Sequence, residues 1–129
     1  MINVFVSSPK AYAVNVSRLK KNIGAIFTAA GITSEAEVSV AFVSDRQMAR
    51  ISEKYLKDHE SHEIISFPFE TSEASLLAFP SPDGVKRIGE IIIAFPTAVK
   101  LAKKNVRSIT AEIDFLLHHG CQHLLGYHH

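Results

Sequence analysis

The stretch SITAEIDFLLHHGCQHLLGYHH, Ser108 to His129, decides how the chain is read. Ser108 is a helix-capping residue type, and Ile109, Ile113, Leu116 and Leu117 follow at helical spacing, so a largely buried helix is predicted to about Leu124. Residues four apart stand one above the other on a helix, which lets the ring nitrogens of His119 and His123 converge on one point. Gly126 can take the left-handed conformation that ends a helix and turns the chain back, bringing His129 towards the same point. Three neutral imidazoles leave one position open on a tetrahedral ion, and an open position holding water separates a catalytic site from a structural one. The spacing therefore predicts one Zn2+, or another divalent transition metal, held by His119, His123 and His129, with the bound water as nucleophile in a hydrolysis. A purification tag also leaves a His-His end, but it explains neither His119 nor His123 nor the placing of Gly126.

An apolar helix needs an apolar surface to cover it, and the preceding residues supply a sheet. Residues 2 to 6 read as a strand, and 16 to 30 as a helix with Val16, Leu19, Ile23, Phe27 and Ala30 in one stripe, closed by Gly31. Val38, Val40 and Phe42 alternate with Ser39 and Ala41 in a strand at 37 to 43. Ser44-Asp-Arg-Gln47 has the form of a capping box opening a helix to about Tyr55. Strands are expected at 63 to 69 and 88 to 95, separated between Glu70 and Arg87 by a long loop with the turn Ser81-Pro82-Asp83-Gly84. Pro96 then suits the first turn of a helix to about Asn105. The order β-α-β-α-β-β-α-α predicts an α+β fold, a single mixed sheet of about four strands packed with helices and ending in the metal-binding helix. The strands around Ile64 and Ile91 are apolar on both faces and are expected to be central. Gly120 costs the last helix about 1 kcal/mol relative to alanine. Either room for a strand, substrate or metal-bound water, or close helix packing, would compensate. Cys121 falls between the two helical ligands and faces away from them, as packing.

Length and charge narrow the classes. A chain of 129 residues, 47% hydrophobic and 21% charged, is expected to form one metallohydrolase domain over residues 1 to 129. No run reaches the ~18 apolar residues of a membrane span, the first residues lack a basic stretch before an apolar one, and the lone Cys121 cannot form an internal disulfide. A cytoplasmic protein without a membrane partner is expected. Fourteen basic and 13 acidic side chains leave a net charge of +1, so overall charge announces no polyanion. Locally, Lys100, Lys103, Lys104 and Arg107 follow i, i+3, i+4, i+7 spacing and could contact phosphates from one helix face, with Arg107 standing beyond the expected helix end near Asn105 unless the helix runs on. Such a run is equally what a solvated face looks like.

The block from His119 to His129 resembles the H-G-x-L-H-L-x-G-Y-D-H signature of the YbeY family, bacterial endoribonucleases involved in ribosomal RNA maturation. Ile64-Ile65-Ser66-Phe67-Pro68 is similar to the family's V-L-S-F-P, and Ile88-Gly89-Glu90-Ile91 to its L-G-D-I. The three blocks stand in the family's order and span roughly residues 40 to 129. His128 replaces the usual Asp, Gln122 a Leu, Glu63 an Asp or Asn, and Glu90 an Asp. Leu56, counting back from Ser66, stands where the family usually carries an arginine thought to contact phosphate. Lys54, Lys57 and His59 lie near that place, and the two lysines are candidate substrate contacts, although none of the three has arginine's bidentate fork. The family usually continues past the third histidine with a further helix, whereas this sequence stops at His129. The resemblance implies a single-strand-specific endoribonuclease in rRNA maturation and ribosome quality control, with ribosomal particles as partners. It also implies that Ser66 lies on a strand near the metal, as a catalytic residue bonding substrate or as an ordinary strand serine.

Two other readings fit part of the pattern. In metalloproteases of the H-E-x-x-H type a glutamate after the first histidine is the general base, and here that place is Gly120. Glu112 is seven residues before His119, roughly 10 Å along the axis, and suits the helix N-terminus instead. Phosphodiester cleavage asks less of a base, because a metal lowers the pKa of its water towards ~7. A non-catalytic, metal-stabilised ribosome-binding module is the main alternative, and a zinc peptidase ranks below it.

Overall fold

The computed structural model describes residues 1–69 and 84–126. Its sheet has the order β1-β2-β4-β3, formed by β1 (Ile2–Ser7), β2 (Glu35–Val43), β3 (Ile64–Pro68) and β4 (Val85–Ala94). β1, β2 and β4 run parallel and β3 antiparallel to β4, so the sheet is mixed, as expected. Among the described residues four α-helices connect and cover it: α1 (Val16–Ala29), α2 (Asp45–Ile51), α3 (Phe95–Lys104) and α4 (Ile109–Leu124). None among the described residues is long and apolar enough to cross a membrane.

The local signals act as their chemistry requires. Asn15 and Ser108 accept from Arg18 N and Ala111 N and cap α1 and α4, and the Ser44/Gln47 capping box opens α2. Pro96 stands in the first turn of α3, where its missing N–H costs nothing. Apolar residues then fill both faces of the sheet. Leu19, Ile23 and Phe27 of α1 and Ile113, Leu116, Leu117, Cys121 and Leu124 of α4 share one core with Val38, Val40, Ile91 and Ile93. Met48 of α2 closes a smaller core with Ile65, Ile92 and Ala94.

Several expectations need correction. Of the two strands expected to be central, β4 is central but β3 is the outer strand. Its apolar character comes from being sandwiched, with Ile64 packed against the core under α4 and Ile65 on the α2 side. β4 begins at Val85, three residues early, because it pairs with β2 from Glu35 onward. The expected loop turn at Ser81-Pro82-Asp83 lies outside the described residues. Ile109 is 40% exposed rather than buried, since the first turn of α4 extends past the core. α2 does not run regularly to Tyr55; its last turn widens into a π-helical turn, Ser52–Leu56, ended by Lys57 at φ 58°.

Candidate metal centre

α4 is fixed before it carries any chemistry. Arg18 of α1 grips Asp114 with both guanidinium nitrogens, Nη1 to Oδ1 at 2.8 Å and Nη2 to Oδ2 at 2.5 Å. This pairing raises the Arg18 pKa, chiefly through the hydrogen bond. Of the alternatives left open for Gly120, the room it leaves is taken by strands, β3 and β4, not by another helix. A Cβ there would stand 3.0 Å from Ile64 Cδ1 and 3.3 Å from two Ile91 carbons, so the glycine lets helix and sheet approach. Cys121 is fully buried beside it, and burial pushes its thiol up to about 12.

On this seated helix His119 Nε2 and His123 Nε2 are 3.1 Å apart, with ring centroids separated by 4.5 Å and planes inclined at 57°. Two nitrogens bound at 2.0–2.1 Å to one tetrahedral ion stand roughly 3.3 Å apart, so the donor set fits such an ion with little adjustment. Without one, a ring must donate to the other. Gly126 has φ 91° and its N–H bonds His123 O at 3.0 Å, so the chain leaves the helix through the left-handed residue expected. His129 and His128 lie beyond the described residues. Ser66 Oγ, on β3, reaches the Gly120 carbonyl at 3.5 Å, which sets this hydroxyl on the α4 side one residue from His119.

The basic residues do not act as one stripe. Lys103 and Lys104 are exposed in the last turn of α3. Lys100 lines a depression of about 230 Å3 together with His59, Glu60 and His62. Arg107 lies past the helix end, after Val106 at φ 54°, and departs from the expected face. Its Nη1 is 3.7 Å from Glu112 Oε1 and its guanidinium 4.7 Å from the Phe115 ring centre. Glu112 is itself buried and also accepts from Asn105 Nδ2 at 3.1 Å, so the carboxylate that begins α4 claims the arginine. Lys54 Nζ stands 5.1 Å from the Tyr55 ring centre, Lys57 is exposed, and Leu56 is 41% exposed.

One group was not singled out from the sequence. Asp58, Glu60 and His62, in the loop before β3, have ligand atoms within 4.8 Å of one another and could hold a divalent ion. Alternate placing of three ligand types in a short segment was the signal. Asp58 accepts from the Ser52 hydroxyl, from Glu60 N at 3.2 Å and faces His62 Nε2 at 3.2 Å. The Ser52 hydroxyl, and secondarily His62, hold its carboxyl below the usual carboxylate range.

Paired histidines one turn apart, on a helix seated against a mixed sheet, are an arrangement that could serve a metallohydrolase. A sequence model of the family described as endoribonuclease YbeY matches residues 6–129. An endoribonuclease YbeY of Moorella thermoacetica is 36% identical over 114 residues, covering 88% of this chain and 73% of the relative. One of Dehalococcoides mccartyi is 32% identical over 133 residues, covering 99% and 83%. The chain belongs to the YbeY endoribonuclease family. A solution structure from Thermotoga maritima shares the fold, with a TM-score of 0.59 at 19% identity, over 100% of this chain and 75% of that one.

Proposed function

We propose that this chain is a metal-dependent, single-strand-specific endoribonuclease of the cytoplasm, acting on ribosomal RNA and ribosomal particles in maturation and quality control. The observation that carries the reading is the 3.1 Å approach of His119 and His123 in a member of an endoribonuclease family. These two residues, joined by His129, would hold one zinc or other divalent ion. Such an ion supplies a polarised phosphoryl oxygen and an acidified water. The chain's own residues do the rest. The salt bridge from Arg18 and the packing at Gly120 hold the helix that carries the two imidazoles, so its backbone needs no rearrangement when the ion binds. Among the described residues the Ser66 hydroxyl has a single, long contact, to Gly120 O, and can exchange it for a substrate oxygen. Lys54, Lys57, Lys100, Lys103 and Lys104 are the cations that would meet phosphates, and Arg107 would do so only by leaving Glu112. Peptide hydrolysis lacks a base, since Gly120 occupies its place and packs against Ile64 and Ile91.

Leu56, where the family usually carries arginine, favours the non-catalytic ribosome-binding reading. Incubation of metal-loaded protein with single-stranded RNA separates the two. Cleavage that stops with a chelator and is lost in His123→Ala supports the enzyme, and Leu56→Arg should then raise the rate by a factor of roughly ten to a hundred. Intact RNA with both the native chain and Leu56→Arg, metal being present, would leave the binding module.

A further inference from the structure

β3 has two faces, and the histidine site uses one. Ser66 points to α4, so its neighbour Phe67 points to the opposite side. There a groove of about 420 Å3 is lined by Ile51, Tyr55, Phe67, Phe69, Glu90 and Ile92. Tyr55 and Phe69 are 58% and 59% exposed, large rings left open to water. The Tyr55 ring meets Phe67 edge to face, with centroids 5.5 Å apart and planes at 66°. Glu90 is paired with Phe67 across the β3–β4 ladder, so its carboxylate stands beside that ring. Among the described residues the Glu90 side chain makes no hydrogen bond or ion pair. Lys54 Nζ lies 5.1 Å from the centre of the Tyr55 ring, within reach of a phosphate attached to anything stacked in the groove.

We infer that this groove is a base pocket for a guanine of single-stranded RNA. The inference rests on the RNA reading above. Exposed aromatic rings with a flanking cation are the means by which unpaired bases are held. The carboxylate selects among them. An ionised carboxylate offers only acceptors, and the Watson–Crick edge of guanine presents N1–H and the N2 amino group side by side as two donors. Adenine and cytosine each set an acceptor next to their amino group, and uracil flanks its single N–H with two carbonyls, so each brings a lone pair against Glu90. Because β3 is the outer strand, an RNA chain passing its edge can seat a base against Phe67 and turn its backbone towards the Ser66 and histidine side.

The test measures binding of the metal-loaded full chain to labelled heptamers, three uridines on each side of a central G, inosine, A or C, by fluorescence anisotropy. G should bind about tenfold tighter than A or C, with inosine, which lacks the N2 amino group, between them. Glu90→Gln should reduce the G-to-A ratio to within about twofold, and Tyr55→Ala should weaken all four heptamers by a factor of about five or more. Equal affinity for the four bases, or a G preference that survives Glu90→Gln, overturns the pocket while the RNA reading stands. Absence of any RNA binding or cleavage overturns both.

Discussion

His119 and His123 stand on a sixteen-residue helix capped by Ser108 and pinned by Arg18, whereas Asp58, Glu60 and His62 stand on a loop between a π-helical turn and β3. In the first group the regular backbone brings two nitrogens to 3.1 Å. In the second, convergence comes from the hydrogen bonds themselves, since Asp58 gathers Ser52, the Glu60 amide and His62. An ion entering the loop must therefore displace contacts that shape it, while one entering between the helical histidines replaces the contact between their rings and leaves the helix hydrogen bonds that position them. Proximity of ligand atoms is common to both. The support differs, and it is the ground on which the helix is proposed as the metal centre, with the loop, whose three donors could also hold an ion, proposed as a staple.

The largest expected effect breaks or confirms this contrast. His119→Ala or His123→Ala should lower zinc affinity by more than about 100-fold, beyond what loss of an outer-shell partner typically costs, while His62→Ala keeps one equivalent. Metal analysis of untagged protein and competition with a chromophoric chelator read both. Zinc lost in His62→Ala and retained in the helical variants would exchange the two assignments.

The same contrast governs what could be read from the sequence. Spacing of four on a helix is a rule of backbone geometry, so the histidine pair and the left-handed Gly126 followed from residue positions alone. The mixed sheet followed from alternation and capping. Strand order did not, because apolar residues on both faces of β3 signal cover by α4 and α2, not a neighbour on each edge. The helix expected to about Asn105 left Arg107 beyond its end, but periodicity carried no information about the buried Glu112 that takes the arginine there. The Asp58 group was missed because alternate placing brings side chains together only when the loop folds back, which its hydrogen bonds and not a backbone rule decide, and the base groove because it needs residues from three separate segments.

The seat of α4 can be disturbed from the sheet. Gly89 has φ 156°, and a Cβ there would lie 2.5 Å from Phe67 O and 2.8 Å from Leu124 Cδ2, against backbone and the last turn of α4. Gly89→Ala should cost about 2–3 kcal/mol in chemical denaturation and weaken zinc binding with it. Unchanged stability would mean that α4 is less tightly seated than the packing indicates.

Cys121 reports the same seat without a substitution. Its thiol, pushed up to about 12 by burial, stays protonated and covered at pH 8, so alkylation should be at least about 100-fold slower than in denaturant. Because the folded state holds this pKa above the ordinary 9.0, its contribution is intact below pH 9.0 and is lost as pH rises towards 12. Rapid labelling of the native protein would show α4 opening readily and remove the rigidity on which the contrast depends.

The smallest effect belongs to the loop. The Ser52 hydroxyl, with His62, lowers the Asp58 pKa below 3.8, so the folded state favours its ionised form. The resulting stability is present above pH 3.8 and disappears as pH falls through the lowered folded value. Asp58→Asn should therefore melt a few degrees below the parent at neutral pH, and the two curves should converge on acidification, followed by circular dichroism. If the loop serves as a staple and the helix as the metal centre, zinc content should not change. A melting difference that persists in acid would deny the carboxylate its role, and zinc reduced in Asp58→Asn would make the loop a metal site after all.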